Sequence, residues 1–234
     1  MLLATAGDLF LSFIGNEIHI DIAYKNHSGF ISCFILRSIR IEKPVFVIRD
    51  FDLVLGCQGA RIEPDFRELA DKKAIILKCA LKNVAFLRAG EKLSRSSGIP
   101  PKAGKGAGDL LGLFGSSLPP LLEELVNVLF VTVDTELRVF GGTLEFRSFK
   151  AESRDIKVTA SGFVRETGDT QLSLKIFFSP EIIATFPEEL RAVLTPGVRG
   201  WSSYHIELES GRAKPFLKLE TDRFRLEFKE IQEG

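Results

Sequence analysis

Apolar and polar side chains alternate with a period of two along several long stretches of this chain. The alternation is clearest in residues 18–24, 171–178, 204–209 and 223–229, where Ile, Leu, Phe and Tyr are separated mostly by charged or polar residues. Successive side chains of a β-strand point to opposite faces of the sheet, so this pattern is typical of strands with one buried face. The same residues would be scattered around a helix, and we therefore predict a β fold.

Further strands are predicted between clusters of turn-forming residues. The additional candidate strands are residues 30–40, 45–48, 51–55, 74–81, 136–140, 143–149, 156–164 and 216–220. The candidate turns are residues 25–29, 141–142, 167–169 and 210–212. Short connections favour antiparallel neighbours, and no regular helices alternate with the strands. We therefore predict a mainly β chain built on an antiparallel meander.

Two segments carry helix signals. Residues 118–130 follow Ser116 and Ser117, either of which can cap a helix. They contain two prolines in the first turn and repeat Leu at spacings of three and four, which predicts an amphipathic helix. Its polar face is acidic, unlike the basic face of most membrane-surface helices, so packing on the sheet is favoured. Ser179 and Pro180 begin a second helical stretch, which residues 186–189 restart and residues 195–197 end. We expect one or two amphipathic helices packed on or in the sheet.

One segment has the composition of a linker. Residues 94–108 consist almost entirely of Gly, Ser, Pro, Ala and Lys, which predicts a flexible connection. It separates an N-terminal β-rich part, residues 1–93, from a C-terminal β part, residues 109–234. The charged segment 63–73 is predicted to be a solvated loop or short helix before the next strand.

Charge and aromatic composition limit the classes of function. The chain has 31 Lys and Arg and 31 Asp and Glu, so its net charge is zero. Nucleic-acid binders normally carry a basic excess, and we predict no nucleic-acid partner. The chain has 20 Phe but 2 Tyr and 1 Trp, and Phe has no polar group that favours a wet site. These Phe residues indicate either a Phe-rich core or an extended apolar surface for acyl chains or a partner.

No segment has the spacing of a phosphate-binding or metal-binding motif. Gly98, Gly104 and Lys105 resemble a P-loop, but the glycines are one residue too far apart, and Gly106 replaces the magnesium-binding Ser or Thr. The cysteines, at positions 33, 57 and 79, form no pair typical of a zinc or redox site. We predict that the chain has no cofactor and no metal site.

Candidate catalytic residues are also scattered along the sequence. His19, His27 and His205 are far apart, and each is predicted to lie at the surface. No nucleophile elbow accompanies them. We predict that the protein is not an enzyme, with a site assembled from distant residues as the alternative.

The N-terminus shows no targeting signal. Residues 1–8 lack a basic n-region, and Gly7 and Asp8 interrupt the apolar run, so we predict no signal peptide. No window approaches about 18 uninterrupted apolar residues, and no transmembrane helix is predicted. We expect the chain as given to be soluble.

Four short sequence segments of the C-terminal part follow one another in an order that is shared with a known protein family. They are the helix 118–130 leading into Gly142-Thr143-Leu144-Glu145-Phe146, the strand ending Lys175-Ile176-Phe177-Phe178-Ser179-Pro180, the pair Gly200-Trp201, and Lys214-Pro215-Phe216 followed by Thr221-Asp222-Arg223-Phe224. In these features residues 110–230 resemble the C-terminal region of AsmA-like proteins, the bacterial envelope family that includes TamB relatives. The resemblance implies a sheet curved into a taco-like groove or half-barrel with an apolar lining.

The resemblance also implies a function and a location. The family is associated with moving or organising phospholipids between bacterial membranes, so we expect a phospholipid or another acyl-chain lipid as ligand, and a membrane surface or envelope proteins as further partners. The expected location is the bacterial envelope or periplasm, with no membrane anchor in this chain. The side chains expected to contact acyl chains are Leu144, Phe146, Ile156, Val158, Leu174, Ile176, Ile206, Leu208, Leu217 and Leu219. The alternative is a structural or adaptor scaffold that binds a protein partner through its strand edges.

Overall fold

The computed structural model describes residues 2–17, 20–32, 35–48, 53–88, 128–165, 167, 169–210, 216–220 and 225–229. The strands are β1 (Ile20–Ala23), β2 (Asn26–Ser32), β3 (Ile35–Glu42), β4 (Val45–Ile48), β5 (Leu53–Gly56), β6 (Gly59–Asp65), β7 (Ala74–Arg88), β8 (Leu129–Phe140), β9 (Thr143–Glu152), β10 (Ile156–Arg165), β11 (Thr170–Phe178), β12 (Thr195–Pro196), β13 (Ser202–Ser210), β14 (Phe216–Glu220) and β15 (Arg225–Lys229). The helices are α1 (Leu2–Glu17), α2 (Leu69–Lys72), α3 (Pro180–Thr185) and α4 (Glu188–Ala192), with a 3₁₀ turn at Val198–Gly200.

The described strands form an antiparallel sheet that does not close. The hydrogen-bonded order runs β1-β4-β5-β7-β8-β9-β10-β11-β13-β14-β15, with β2, β3, β6 and β12 beside this path. From β8 to β15 neighbours in the sheet are mostly neighbours in sequence, as expected for a meander. The predicted fold class, a mainly β chain with an antiparallel sheet, is confirmed.

The chain divides into two compact units. The first unit comprises Met1–Pro64 and Cys79–Thr132, and the second comprises Asp65–Lys78 and Val133–Gly234. Residues 65–78 therefore cluster with the C-terminal residues, whereas they were predicted to belong to the N-terminal part. The predicted linker 94–108 lies outside the described residues.

In the first unit, α1 packs on β1 and β2. Leu11 and Ile14 of α1 are buried. Tyr24 donates a hydrogen bond to the Asp8 carboxylate, and His27 Nε2 lies 3.6 Å from the same carboxylate. No described helix is both long and apolar enough to cross a membrane.

Several local predictions in the first unit were wrong, among them the single strand at residues 30–40, where β2 ends at Ser32 and β3 begins at Ile35. Residues 25–29 were predicted as a turn, but Asn26 begins β2 and is paired with Glu42 of β3. This pairing outweighs the turn preference of the segment. His27 was predicted at the surface, but only 9% of its side chain is exposed, because it packs edge-on against Tyr24 with ring centroids 5.2 Å apart.

In the second unit, a charge network ties residues 65–78 to β8 and β9. Glu68 accepts hydrogen bonds from Arg138 Nε at 2.9 Å and from Arg147 at 3.4 Å. Lys72 lies 3.6 Å from the same carboxylate. Burial pushes the pKa of Glu68 upward, but these cations outweigh burial and hold the pKa below its usual value. The interaction explains why this segment belongs with the C-terminal residues.

The helical predictions had different outcomes. The predicted start at Ser179 is confirmed, since its hydroxyl accepts the Ile182 backbone N–H at 3.4 Å and Pro180 occupies the first turn of α3. The restart after Phe186 is confirmed as α4. For the predicted helix 118–130, residues 118–127 lie outside the described residues. Leu129 and Phe130 belong to β8 instead, so the predicted helix extended too far.

The Cys57 side chain is buried and the Cys79 side chain is partly buried. Burial raises the pKa of the Cys57 thiol to about 11 and that of the Cys79 thiol to about 12. Because the thiolate is the reactive form, we expect a Cys33→Ser chain to react with a disulfide reagent far more slowly when folded than in urea. Equal rates in the two states would contradict this account.

The same pKa values predict a loss of stability at alkaline pH. A thiol whose folded pKa is raised stabilises the fold fully below its unfolded pKa of about 8.5, and this contribution is lost as the pH rises through the folded value. The free energy of unfolding should therefore fall above about pH 8.5. Urea titrations should show a shallower decline in a Cys57→Ala, Cys79→Ala double variant. The remaining decline should come from Tyr24 and Tyr204, because burial also raises their pKa values.

Candidate functional site

The strand registers of the second unit place apolar side chains on one common face of the sheet. Val158 of β10 is opposite Ile176 of β11, which is opposite Tyr204 of β13. A second row contains Ala160, Leu174 and Ile206, and a third contains Gly162, Leu172 and Leu208. Residues that are directly opposite in a ladder share a face. We call this surface the apolar face.

Phe186, the residue that follows α3, packs at one end of the apolar face. Phe178 is 0% exposed, and its ring meets that of Phe186 edge-on, with centroids 5.1 Å apart and an interplanar angle of 76°. The other buried residues at this end of the face are Ala151, Ile156, Val158, Ile176, Tyr204 and Ile206. The dense burial here is that of an ordinary core.

Exposure increases along each strand toward the other end of the face. In β11, Phe178 and Ile176 are buried whereas Leu174 and Leu172 are partly exposed. The same change occurs in β9, β10 and β13. The partly exposed apolar residues, which we call the open strip, are Leu144, Phe146, Phe149, Val164, Leu172, Leu174 and Leu208. They span neighbouring strands, so the open strip is a continuous apolar surface rather than a set of isolated residues.

A β-bulge determines which residues reach the open strip. The register between β9 and β10 shifts between Ala160 and Gly162, so that Phe149 is opposite Ala160 and Phe146 is opposite Gly162. Without this shift, two residues three apart would point to opposite faces. Gly162 has φ +134°, and a Cβ there would overlap the carbonyl oxygen of Gln171. The bulge therefore depends on glycine at this position.

The expected lipid-contact residues are divided by this gradient. Ile156, Val158, Ile176 and Ile206 are buried in the covered end. Leu144, Phe146, Leu174 and Leu208 lie in the open strip. Leu217 and Leu219 are paired by register with Ser210 and Leu208, but their side chains lie outside the described residues. The first group is suited to holding the fold, and the second is available to a ligand.

Three residues of the open strip were missed by the sequence analysis. Leu172 lies in a strand whose alternation was recognised, and Val164 lies at the end of the predicted strand 156–164, so the face of each could have been assigned from the sequence. Phe149 could not, because the bulge reverses the alternation between Phe146 and Phe149.

The opposite face of the sheet brings together a serine, a histidine and a carboxylate. Ser173 Oγ is 3.0 Å from His205 Nε2, and Glu207 Oε1 is 3.8 Å from the same nitrogen. In a catalytic triad the acid contacts the ring nitrogen that does not face the nucleophile. Here both groups approach Nε2, so this arrangement lacks triad geometry. His205 lies on the polar face of β13, as predicted.

Among the residues that the structure describes, no group of three or more His, Cys, Asp or Glu side chains is placed to hold a metal ion. No family model, curated protein or solved structure matches the chain. The resemblance to AsmA-like proteins therefore rests on the sequence features alone.

Proposed function

We propose that the second unit binds the acyl chains of a phospholipid or similar lipid on the open strip, without chemical transformation of the ligand. The observation that carries the proposal is the exposure gradient along the apolar face, which leaves Phe146 of β9, Leu172 of β11 and Leu208 of β13 partly accessible in one row that crosses β10 at Gly162. A hydrocarbon chain lying across these strands would remove both surfaces from water, at about 0.8 kcal/mol for each buried CH₂.

The composition of the strip supports an apolar ligand over a polar one. Its side chains are Leu, Val and Phe, which offer no hydrogen-bond donor or acceptor. A polar ligand would lose hydrogen bonds to water without replacement, which is costly. A role in lipid transport or assembly within the bacterial envelope is the setting that the sequence resemblance suggests for such a surface.

A matched pair of phenylalanine substitutions tests the proposal. Phe146 lies in the open strip, whereas Phe163 is paired with Glu145 and lies on the opposite face, with Arg165 stacked 4.8 Å from its ring centroid. Both side chains are partly exposed. Phe146→Glu is therefore expected to weaken lipid binding in a folded protein, and Phe163→Glu is expected to leave it unchanged. Ile176 is less suitable, because a charge at this buried position would unfold the chain.

The measurement is native mass spectrometry of the purified chain, with titration of a fluorescent fatty-acyl probe. We expect co-purified lipid or saturable probe uptake, with affinity at least about tenfold lower in Phe146→Glu, since burying a Phe side chain contributes about 1.5 to 3 kcal/mol. Circular dichroism and the melting temperature identify variants that remain folded. A chain without lipid that takes up no probe would refute the proposal and favour the protein-binding scaffold, as would equal losses in the two variants.

A further inference from the structure

The polar face of the second unit contains a separate hollow of about 620 Å³. Its floor is formed by β9, β10 and β11, and one wall is formed by residues 195–203. Lys150, Lys157, Lys175, Arg199, Phe177 and Trp201 are among the residues that line it. The hollow lies on the side of the sheet opposite the apolar face, so it is independent of the proposed lipid surface.

Positive charge is concentrated in this hollow. Lys157 is opposite Phe177 and Lys175 is opposite Thr159, so the two lysines are diagonal neighbours on adjacent strands. Lys150 is also opposite Thr159, from the other side, and Arg199 lies on the wall. Like charges on adjacent strands repel each other, and a bound anion would remove this repulsion.

Within the described part of the chain, these cations form no close ion pair with a carboxylate. The ion pairs within that part of the chain include none of Lys150, Lys157, Lys175 and Arg199. Glu152 is the one carboxylate residue among the described residues lining the hollow, and it is opposite Lys157 in the β9–β10 register. The Lys157 ammonium nevertheless lies over the Trp201 ring, 5.2 Å from its centroid.

Aromatic rings support two of the lysines. In addition to the Lys157–Trp201 contact, the Lys175 ammonium lies 5.4 Å from the centroid of Phe177. Such contacts attract an ammonium group to the ring face, while its remaining N–H groups stay available to an anion. The rings also give a ligand an apolar surface beside the charges.

The wall that carries Trp201 is a defined turn. The backbone N–H of Gly197 donates to the Trp201 carbonyl at 2.7 Å. Arg199 and Gly200 have φ of 59° and 77°, and a Cβ on Gly200 would approach Pro180 Cγ to 3.0 Å. Arg199 and Trp201 are therefore presented by a turn with a fixed backbone path, which lowers the cost of ordering them around a ligand.

We propose that this hollow binds phosphate, either a group that carries more than one negative charge or one of many phosphates on an anionic surface. Lysines act as point charges that suit the several oxygens of a phosphate. The group can come from a soluble phosphate ester or from the headgroups of an anionic phospholipid surface. Both sources present the same chemistry to Lys150, Lys157, Lys175 and Arg199.

Trp201 provides the measurement, since the chain contains 1 Trp. The full chain is titrated with inorganic pyrophosphate and, separately, with phosphatidylcholine vesicles with and without phosphatidylglycerol, following Trp201 fluorescence at constant ionic strength. A saturable change with pyrophosphate supports the soluble source, and a change only with phosphatidylglycerol vesicles supports the headgroup source. The proposal is overturned if neither probe gives a saturable change, or if sodium chloride gives the same change.

Three variants assign any binding to the hollow. The double variant Lys157→Gln, Lys175→Gln should weaken phosphate binding by about tenfold or more, because each substitution removes a charged donor. Glu152→Gln should strengthen it, because it removes the carboxylate opposite Lys157. Lys82→Gln, on an exposed lysine of β7, should have no effect. Calorimetry checks affinities where a variant alters the fluorescence of Trp201 itself. The hollow would not be the binding site if the Lys82→Gln variant and the Lys157/Lys175 double variant lost the same affinity. The same conclusion would follow if the double variant kept the affinity of the unchanged chain.

Discussion

Replacing Phe178 with alanine is expected to lower the free energy of unfolding of the second unit by about 3 to 5 kcal/mol. The side chain is 0% exposed and packs edge-on against Phe186. Its removal would leave a cavity beside the Phe186 ring and would remove an aromatic pair that contributes about 0.5 to 1.5 kcal/mol beyond area burial. The measurement is urea unfolding followed by Trp201 fluorescence, because Trp201 belongs to the same unit.

The adjacent Phe177 provides the matched control. It is the same residue type in the same strand, but it points to the polar face. Its side chain is only partly buried, and the Lys175 ammonium lies over its ring. Because less of its surface is buried, Phe177→Ala should cost about 1 to 1.5 kcal/mol. If both variants were equally destabilised, the covered end of the apolar face would not be the packed core of this unit.

Gly162→Ala is expected to produce the second large effect. Its φ of +134° is unfavourable for a residue with a side chain, and the added Cβ would overlap the Gln171 carbonyl oxygen and approach Leu172 Cα. The clash involves backbone rather than a flexible side chain, so β10 and β11 must separate or change register. Backbone strain of about 1 to 3 kcal/mol, together with an impaired backbone hydrogen bond costing a similar amount, gives a destabilisation above about 3 kcal/mol.

Gly141→Ala separates backbone strain from the clash. Gly141 also has a positive φ, +50°, but a Cβ there would meet nothing within 4 Å. This substitution should therefore cost only the left-handed conformation, about 1 to 2 kcal/mol. Urea midpoints of the two variants give the comparison. Similar losses would mean that the close approach of β10 and β11 at Gly162 is not required by the fold.

The two glycine variants also bear on the lipid proposal. Gly162 sets the bulge that places both Phe146 and Phe149 on the apolar face. Loss of the bulge would move one of these rings to the polar face, because a shift of one residue reverses the side of every following side chain. Any folded fraction of Gly162→Ala should consequently bind the acyl probe less well than Gly141→Ala does.

Local sequence patterns predicted much of the second unit. The alternation in residues 171–178 and 204–209 identified β11, β13 and the polarity of their faces, because strand periodicity depends only on successive residues. The start of α3 was equally predictable, since Ser179 caps the helix from within the same segment. These elements are determined by chemistry that neighbouring residues supply to each other.

Elements stabilised by distant residues were predicted poorly. β6 was missed because its second half, Glu63 to Asp65, contains charges and a proline, although Ala60, Ile62 and Pro64 alternate as buried residues. Residues 65–78 were assigned to the wrong neighbours, because their position depends on Arg138 and Arg147, about 70 to 80 residues away in sequence. Neither partner can be identified from the segment alone.

Side-chain alternation is a local property, so the amino-acid sequence was sufficient to predict a mainly β chain with one apolar and one polar face along β11 and β13. The division of the apolar face into a covered and an open part became visible only in the folded chain. That division depends on Phe186 packing against Phe178 and on the bulge opposite Gly162. Folding also places Lys150, Lys157, Lys175 and Trp201 around one hollow, because strand pairing and a turn bring together residues that are distant in the chain.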